Sequence, residues 1–350
     1  MRILFFAPLY YPHLGGVENH VAQVSNIFLK KKFNISVVTE KDKENEKDYE
    51  IVCGIEVFRI NLFKKNKFLK KFVIWKWLKE HKGLIKNADI IHCHDTFVWY
   101  LPFRFLYPNK KTYSTFHGWE GKFPIPKRYV FARKIWEKLS HGNICVGDYL
   151  KKWYGTEPTF ITYGAANLLD VKNLKINLRL ISYIGRLDKD VGIVTYLSAI
   201  KYLISEKIIF NLDFYGEGSF VSKVKLLGNL RGSIVDVWDK AKSSNIIMCS
   251  SYLSLIESLQ IKKFVIAVYE NKLKRDYLLM SPFASLVFTT NNPEDISKKI
   301  IKCIDKSKQE RKMVERGYRW AREQTWEKVA DLYLKLWGIK TEEGINCKNP

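Results

Sequence analysis

The chain has 350 residues, 47% of them hydrophobic, which is enough for two domains of ordinary size with a sizeable core in each. Lys and Arg number 59 against 36 Asp and Glu, and the net charge of +23 exceeds what solubility requires, so anionic partners are expected: phosphate-bearing substrates, an acidic membrane surface or nucleic acid. No apolar run approaches the ~20 residues of a spanning helix, and the first strand leads into turn residues rather than a cleavage region, so a cytoplasmic location is expected.

Apolar, β-branched runs near 2–9, 34–39, 88–93, 111–116 and 143–147 predict strands, with helical patterns near 17–32, 66–86, 126–139 and 147–154 between them. This alternation implies a parallel sheet with crossover helices. The pattern restarts after "NLLDVKNLKIN" (167–177), with strands near 178–185, 208–215, 245–249, 264–268 and 285–289, and ends in a helical tail over 293–338. The expected class is α/β, with two doubly wound Rossmann-like domains at 1–168 and 169–322, a terminal helix at 323–338 and a frayed tail at 339–350. The six cysteines contain no C-x-x-C pair and several lie in apolar runs, so neither a disulfide nor a zinc site is expected.

In such sheets ligands bind at the carboxyl ends of strands, where helix amino ends offer free amides to anions. The first strand exits into "APLYYPHLGGVENHV", where Gly15 and Gly16 allow a close backbone approach ahead of a helix. The spacing is not G-x-G-x-x-G, which disfavours a dinucleotide dehydrogenase. The block "FKKNKFLKKFVIWKWLKEHKGLIK" (63–86) carries nine lysines against one glutamate. Read as a helix, it aligns Phe68, Phe72, Trp75, Leu78 and Ile85 near one stripe, and a basic amphipathic helix of this kind suits an anionic bilayer surface. Lys67, Lys70, Lys71, Trp75 and Lys79 are the expected membrane-facing residues, with peripheral attachment to the inner face of the cell membrane as the arrangement this implies; the alternative is a core-facing stripe with the lysines as a solvated exterior. Lysine dominates with no recognition motif, so nucleic acid is not an expected partner.

"DIIHCHDTF" puts His92, His94 and Asp95 at a strand end without an evident third spatial ligand, and packing is the preferred reading over metal binding. The next strand ends at His117–Gly118, an imidazole beside a flexible turn that can donate to a sugar hydroxyl or a developing charge. In the second half, "ISYIGRLDKDVGI" delivers Gly185 and Arg186 to a strand end, where a guanidinium suits a phosphate. "LDFYGEGSF" places Gly216 and Gly218 in a tight loop able to sit under a flat base. "IIMCSSYLSLIESLQ" runs from a strand through a Ser-rich turn into a helix, so amides and hydroxyls around Ser254 and Leu255 can cradle a diphosphate while Glu257 accepts from ribose hydroxyls.

Together, "PHLGGVENHV", "TFHG", "ICVGDYLKKWYG", "YIGRLDKDVGI", "FYGEGS" and "LIESLQIKKFVIAV" resemble the retaining GT-B glycosyltransferases of family four, over about residues 1 to 338. The resemblance implies two domains facing a central cleft, with a terminal helix crossing back to the first. It also implies a nucleotide-sugar donor held mainly by the second domain, a glycan or lipid-linked acceptor held by the first, and transfer of a hexose with retention and without a metal or other cofactor. By position, Gly15 and Gly16 would lie against donor phosphates or acceptor, and His117 against the transferred sugar. Arg186 would neutralise the leaving diphosphate, Gly216 and Gly218 would flank the nucleotide, and Glu257 would hold the ribose.

Two positions depart from the family pattern: Val191 stands where a lysine is usual, and Cys249 stands eight positions before Glu257 where a glutamate is usual. One of two cations at a leaving diphosphate is worth about 3 kcal/mol, or about a hundredfold in rate. Lys189, Lys272, Lys274 and Arg275 are candidate substitutes. A non-catalytic GT-B protein that binds a nucleotide sugar or a glycan is the alternative reading, supported by these two departures.

Overall fold

The apolar runs fold into two separate sheets in a computed structural model that describes residues 1–13, 15–63, 66–171, 175–234, 237–305 and 308–340. The chain divides into Met1–Thr162 with the segment from Trp326 onward, and Tyr163–Thr325. These boundaries fall at 162/163 and 325/326, where the composition shift alone had suggested 168/169 and 322/323. Positions 341–350 of the expected tail lie outside the described residues.

The first unit contains strands β1 (Arg2–Phe6), β2 (Asn34–Glu40), β3 (Tyr49–Val52), β4 (Ile55–Ile60), β5 (Ile90–His94), β6 (Lys111–Phe116), β7 (Asn143–Val146) and β8 (Phe160–Thr162). Its helices are α1 (Gly16–Lys30), α2 (Lys67–Glu80), α3 (Lys82–Asn87), α4 (Phe97–Leu106), α5 (Lys127–Leu139) and α6 (Tyr149–Tyr154). The sheet order is β3-β4-β2-β1-β5-β6-β7-β8, parallel throughout except for the antiparallel β3–β4 pair. Both faces of a parallel sheet are covered, which is why its strands read as unbroken apolar runs. Leu4, Phe6, Ile91 and Cys93 pack on one face with Ile74 and Leu78 of α2, Ile85 of α3 and Phe97 and Tyr100 of α4.

The second unit contains β9 (Asn177–Ile184), β10 (Asn211–Tyr215), β11 (Asn229–Leu230), β12 (Ser244–Met248), β13 (Phe264–Val268) and β14 (Phe288–Thr290). They are joined through α7 (Ile193–Ser205), α8 (Val221–Val224), α9 (Val237–Ala241), α10 (Tyr252–Gln260) and α11 (Lys272–Leu279), and followed by α12 (Pro293–Ile304) and α13 (Lys308–Arg322). The all-parallel order is β11-β10-β9-β12-β13-β14. Ile181, Tyr183, Phe214, Ile246, Met248 and Ile266 meet α7 and α12 in its core.

The last helix, α14 (Trp326–Trp337), belongs to the first unit. Its Tyr333 and Trp337 are fully buried, and the Trp337 indole donates to His92 Nδ1 at 3.1 Å. The Tyr333 hydroxyl lies 2.8 Å from His20 Nε2 and 3.0 Å from Thr115 Oγ1. The apolar, aromatic face of "TWEKVADLYLKLW" thus covers the side of the sheet that carries the histidines.

The basic block folds differently from expectation. The predicted continuous helix breaks at His81, whose ring stacks on Trp77 at 3.8 Å and whose Nδ1 bonds the Trp77 carbonyl at 2.8 Å. Apolar residues surround α2, so the stripe it buries is set by packing, and Ile74 and Leu78 are the fully buried positions while Phe72 is 47% exposed. Trp75 faces the core, with Nε1 donating to the Val98 carbonyl at 2.9 Å. Lys70 pairs with Glu40 at 2.7 Å, Lys71 lies beside the Phe72 and Trp75 rings, and Lys79 is exposed. The side chains of Lys67 and Phe68 lie outside the described residues. No helix among the described residues is long and apolar enough to cross a membrane.

Candidate functional site

In the second unit β9 is flanked by β10 on one side and β12 on the other, so the connections leave in opposite directions and open a crevice at the carboxyl ends of β9 and β12. The loops after these strands carry Gly185–Arg186 and Ser250–Ser254. The Arg186 loop is held by main chain. Gly185 N–H donates to the Tyr215 carbonyl at 3.1 Å, Leu187 N–H to Glu217 at 2.8 Å, and Phe220 N–H to the Leu187 carbonyl at 2.9 Å. Tyr183 adds its hydroxyl, donating to the Arg186 carbonyl at 2.6 Å.

This interlock explains the glycines. Gly216 and Gly218 adopt φ of +146° and +152°, and a Cβ on Gly216 would strike the Gly185 carbonyl while one on Gly218 would lie 2.6 Å from Leu187 main-chain atoms. Their close approach is to the neighbouring loop, a packing requirement that the sequence expectation of a nucleotide contact did not include.

Arg186 is 60% exposed and engages two carboxylates, Nη1 to Asp188 at 3.3 Å and Nη2 to Asp190 at 2.6 Å. Asp188 accepts from the Ser219 amide at 2.9 Å and hydroxyl at 2.8 Å, and these bonds hold its carboxyl below the usual range. The guanidinium is thereby oriented before any ligand arrives. Exposed ion pairs of this kind contribute only about 0–1 kcal/mol, so a multiply charged phosphate can exchange for Asp190. Lys189 is exposed on the short 3-10 turn Lys189–Val191.

At the start of α10, Ser251 Oγ donates to Ser254 Oγ at 2.9 Å, and the Ser254 carbonyl accepts from Ser258 Oγ at 2.6 Å. Ser250 is structural, accepting from the Val268 amide at 3.1 Å beside the Tyr196 hydroxyl. Leu255 is fully buried and its amide already bonds the Ser251 carbonyl, which removes it from the expected phosphate cradle. Burial pushes the Glu257 carboxyl up to about 8, opposed by a hydrogen bond with Trp238, so at neutral pH it is a neutral acid able to donate and accept. Cys249 is buried, 3.6 Å from Ser258 Oγ, with its thiol pushed up to about 12, so it presents an apolar group where a carboxylate was usual.

In the first unit the corresponding switch lies at β1 and β5. Gly15 caps α1 with extended backbone, and the space beside it is filled by the Glu18 carboxylate, which bonds its own main-chain amide and lies 3.4 Å from His13. The amino end of α1 beginning at Gly16 is therefore already occupied by a carboxyl group, which burial pushes above its usual range, and this disfavours donor phosphates there. The β3–β4 hairpin pins the preceding loop, since buried Arg59 donates to the Tyr11 carbonyl at 2.6 Å and pairs with Glu50 at 2.5 Å.

His117 is half-buried, its Nε2 2.9 Å from His94 Nδ1 and its amide donating to Asp95 Oδ2 at 3.0 Å. Its ring also lies 4.8 Å from that of His20. Burial drives His92, His94 and His117 well below their ordinary range and His20 to about 3, so all four imidazoles are neutral. With Nε2 engaged, Nδ1 is the His117 nitrogen left to meet a ligand. Buried Arg133 braces the turn, donating to the Gly118 carbonyl at 2.7 Å and pairing with Glu120 at 3.2 Å. Among the described residues no group of three or more His, Cys, Asp or Glu side chains is arranged to hold a metal.

A cavity of about 640 Å³ opens at the opposite edge of the first sheet, among Met1, Asp89, Tyr107, Lys110 and Trp337. Lys110 there donates to the Lys86 and Ala88 carbonyls, and none of the site residues expected from the sequence lines it. The sequence reading missed Asp188, Asp190, Ser219, Trp238 and Glu18. Asp188 and Asp190 sit in the quoted Arg186 motif, and their spacing was the available signal; the Ser219 and Trp238 contacts arise only by folding.

Residues 14–157 match the profile of Glycosyltransferase Family 4. An uncharacterized glycosyltransferase of Methanocaldococcus jannaschii is 24% identical, with 94% of this chain and 95% of the relative covered. Among solved structures, sucrose-phosphate synthase of Thermosynechococcus elongatus superposes with TM-score 0.77 at 15% identity, covering 96% and 99% of the two chains. A glycosyltransferase from Rickettsia africae gives 0.69 at 19%, covering 96% and 98%. HepE of Anabaena, in complex with UDP, gives 0.68 at 12%, covering 97% and 100%. The architecture is GT-B, and these comparisons support a glycosyltransferase.

Gly216→Ala should destabilise the protein by at least about 2 kcal/mol in urea unfolding, because left-handed backbone and a main-chain collision coincide there; a change below about 0.5 kcal/mol would refute the interlock. Between about 4.5 and 8 the folded chain keeps a proton on Glu257 that the unfolded chain has released, so stability falls as pH rises through this window. Glu257→Gln should flatten that part of the pH–stability profile, and identical slopes would contradict the assignment.

Proposed function

We propose that the protein is a retaining, metal-independent hexosyltransferase, which takes its sugar from a nucleoside diphosphate donor bound by the second unit and passes it to a glycan or lipid-linked acceptor bound by the first. The observation that carries this reading is Arg186, a guanidinium oriented by two carboxylates on a loop that main-chain bonds fix at the switch point of a parallel sheet, beside the amino end of α10. The complexes of HepE with UDP and with UDP-glucose support a nucleotide-sugar partner.

In the proposed reaction the bond from the sugar's anomeric carbon to the diphosphate oxygen breaks, and its electron pair leaves with the diphosphate. Arg186 stabilises that oxygen, and amides and hydroxyls at Ser251 and Ser254 meet the remaining phosphate charge. Glu257 takes the ribose hydroxyls. The acceptor hydroxyl bonds to the anomeric carbon on the face the diphosphate leaves, and its proton passes to the departing phosphate oxygen. On the acceptor side His117 Nδ1 and Glu18 offer hydrogen bonds to sugar hydroxyls, which the carboxylate beside Gly15 fits better than a phosphate. Cys249 provides no carboxylate for the donor sugar, so its hydroxyls depend on other contacts.

We also propose that α2 meets an anionic membrane surface through Leu69, Phe72, Lys76 and Lys79, which share one helical face and include two half-exposed apolar side chains. Each lysine adds about 1 kcal/mol near an anionic leaflet. This face replaces the one expected from the sequence, since Trp75 is turned to the core.

Arg186→Ala should lower kcat/KM for donor turnover at least about a hundredfold, with donors found by thermal-shift screening of nucleoside diphosphates and their sugars; unchanged turnover would remove Arg186 from the reaction. In vesicle co-sedimentation, binding should rise with anionic lipid and fall in Lys76→Glu/Lys79→Glu. Equal binding to neutral and anionic vesicles, or none, would reject the membrane contact.

A further inference from the structure

The charges at the Arg186 loop do not by themselves favour a diphosphate. Arg186 contributes one positive charge, while Asp188 and Asp190, both within ion-pair distance of it, contribute two negative ones. Val191 adds none, and Lys189 points to solvent from the same turn. A leaving group that gains negative charge needs a further cation close by.

Resting on the nucleotide-sugar reading above, we infer that Lys274 is that cation, a second catalytic residue that binds the donor diphosphate opposite Arg186. β13 lies next to β12, and β12 next to β9, so the loop entering α11 opens on the same sheet edge as the Arg186 loop. Asn271 caps α11 by accepting from the Lys274 amide at 2.9 Å, which places Lys274 in the first turn. Its Nζ lies 4.7 Å above the Tyr277 ring. Tyr277 in turn stacks on Tyr252, the first residue of α10, at 3.8 Å and accepts the Tyr252 amide at 2.7 Å. The lysine stem is therefore held beside the helix start assigned to the phosphates.

Two further observations single out Lys274 from its neighbours. Asp190 and Arg186 are the charges that act on it, so it belongs to the same electrostatic cluster although it comes from another element. Burial lowers its ammonium to about 8, while Lys272 and Arg275 are exposed. A half-buried lysine in the first turn of a helix is set against the helix dipole, and a dianionic phosphate relieves that cost. Asp190, which pairs with Arg186 and acts electrostatically on Lys274, is the group the diphosphate displaces.

Isothermal titration at neutral pH with UDP, GDP, ADP and inorganic pyrophosphate tests this. Lys274→Met should weaken the tightest of these ligands by about 10- to 100-fold, Lys274→Arg should stay within about threefold of the wild type, and Lys272→Ala should be unchanged. Adding Val191→Lys to Lys274→Met should restore much of the loss, which a merely misfolded variant cannot show. Binding by Lys274→Met within about twofold of the wild type would overturn the inference and leave the nucleotide-sugar reading standing. A wild type that binds none of the four would overturn that reading, and this inference with it.

Discussion

The proposed donor site of the second unit depends on one backbone interlock. The main chain of Gly185–Leu187 is bonded to the main chain around Tyr215–Phe220 so closely that neither Gly216 nor Gly218 has room for a side chain. Arg186 is a long, flexible residue, and a flexible cation loses rotamer freedom when it binds. Here the loop is fixed by peptide groups and the guanidinium by Asp188, itself fixed by Ser219. The carboxylates orient the cation at little energetic cost, because exposed pairs in water are weak. In the proposed reaction the same weakness lets a diphosphate replace Asp190.

The histidine-bearing face of the first unit, the proposed acceptor side, is organised by burial instead of charge. Four imidazoles lie together under α14, and the cost of charging any of them in that setting keeps all neutral. Tyr333 and Trp337 bond to His20, Thr115 and His92, so the last helix completes the polar inventory of the first sheet's histidine-bearing face. His117 stands at the margin of this cluster, with its ring nitrogen Nε2 engaged and its turn braced by Arg133 and Asp95. It is thus suited to orient a hydroxyl and unsuited to carry charge.

The parallel strands were legible in the sequence because burial on both faces makes them continuous apolar runs, and β6 and β13 fall at the expected residues. The β3–β4 hairpin was not legible, since its alternating polar and apolar residues lie in a charged stretch and its role is to hold Arg59 against the Tyr11 carbonyl. Helix α4 was hidden by its aromatic content and by Pro102 within it. At the site, residue types pointed to Arg186, His117 and Glu257, but not to their partners. The G-x-G motif read as a ligand contact, and its packing against the Gly185–Leu187 loop was not visible in the sequence; Leu255 read as part of a cradle and is buried in the core. In α2 the error was one of phase: with apolar residues all round the helix, only tertiary packing decides that Ile74 and Leu78 go inside and Phe72 stays out.

The most direct test of the central claim is a crystal structure of the protein with bound UDP. The account predicts the β-phosphate within hydrogen-bond distance of the Arg186 guanidinium, with Asp188 still on Ser219 and the Arg186–Asp190 pair opened. A diphosphate bound elsewhere, with that pair intact, would contradict it.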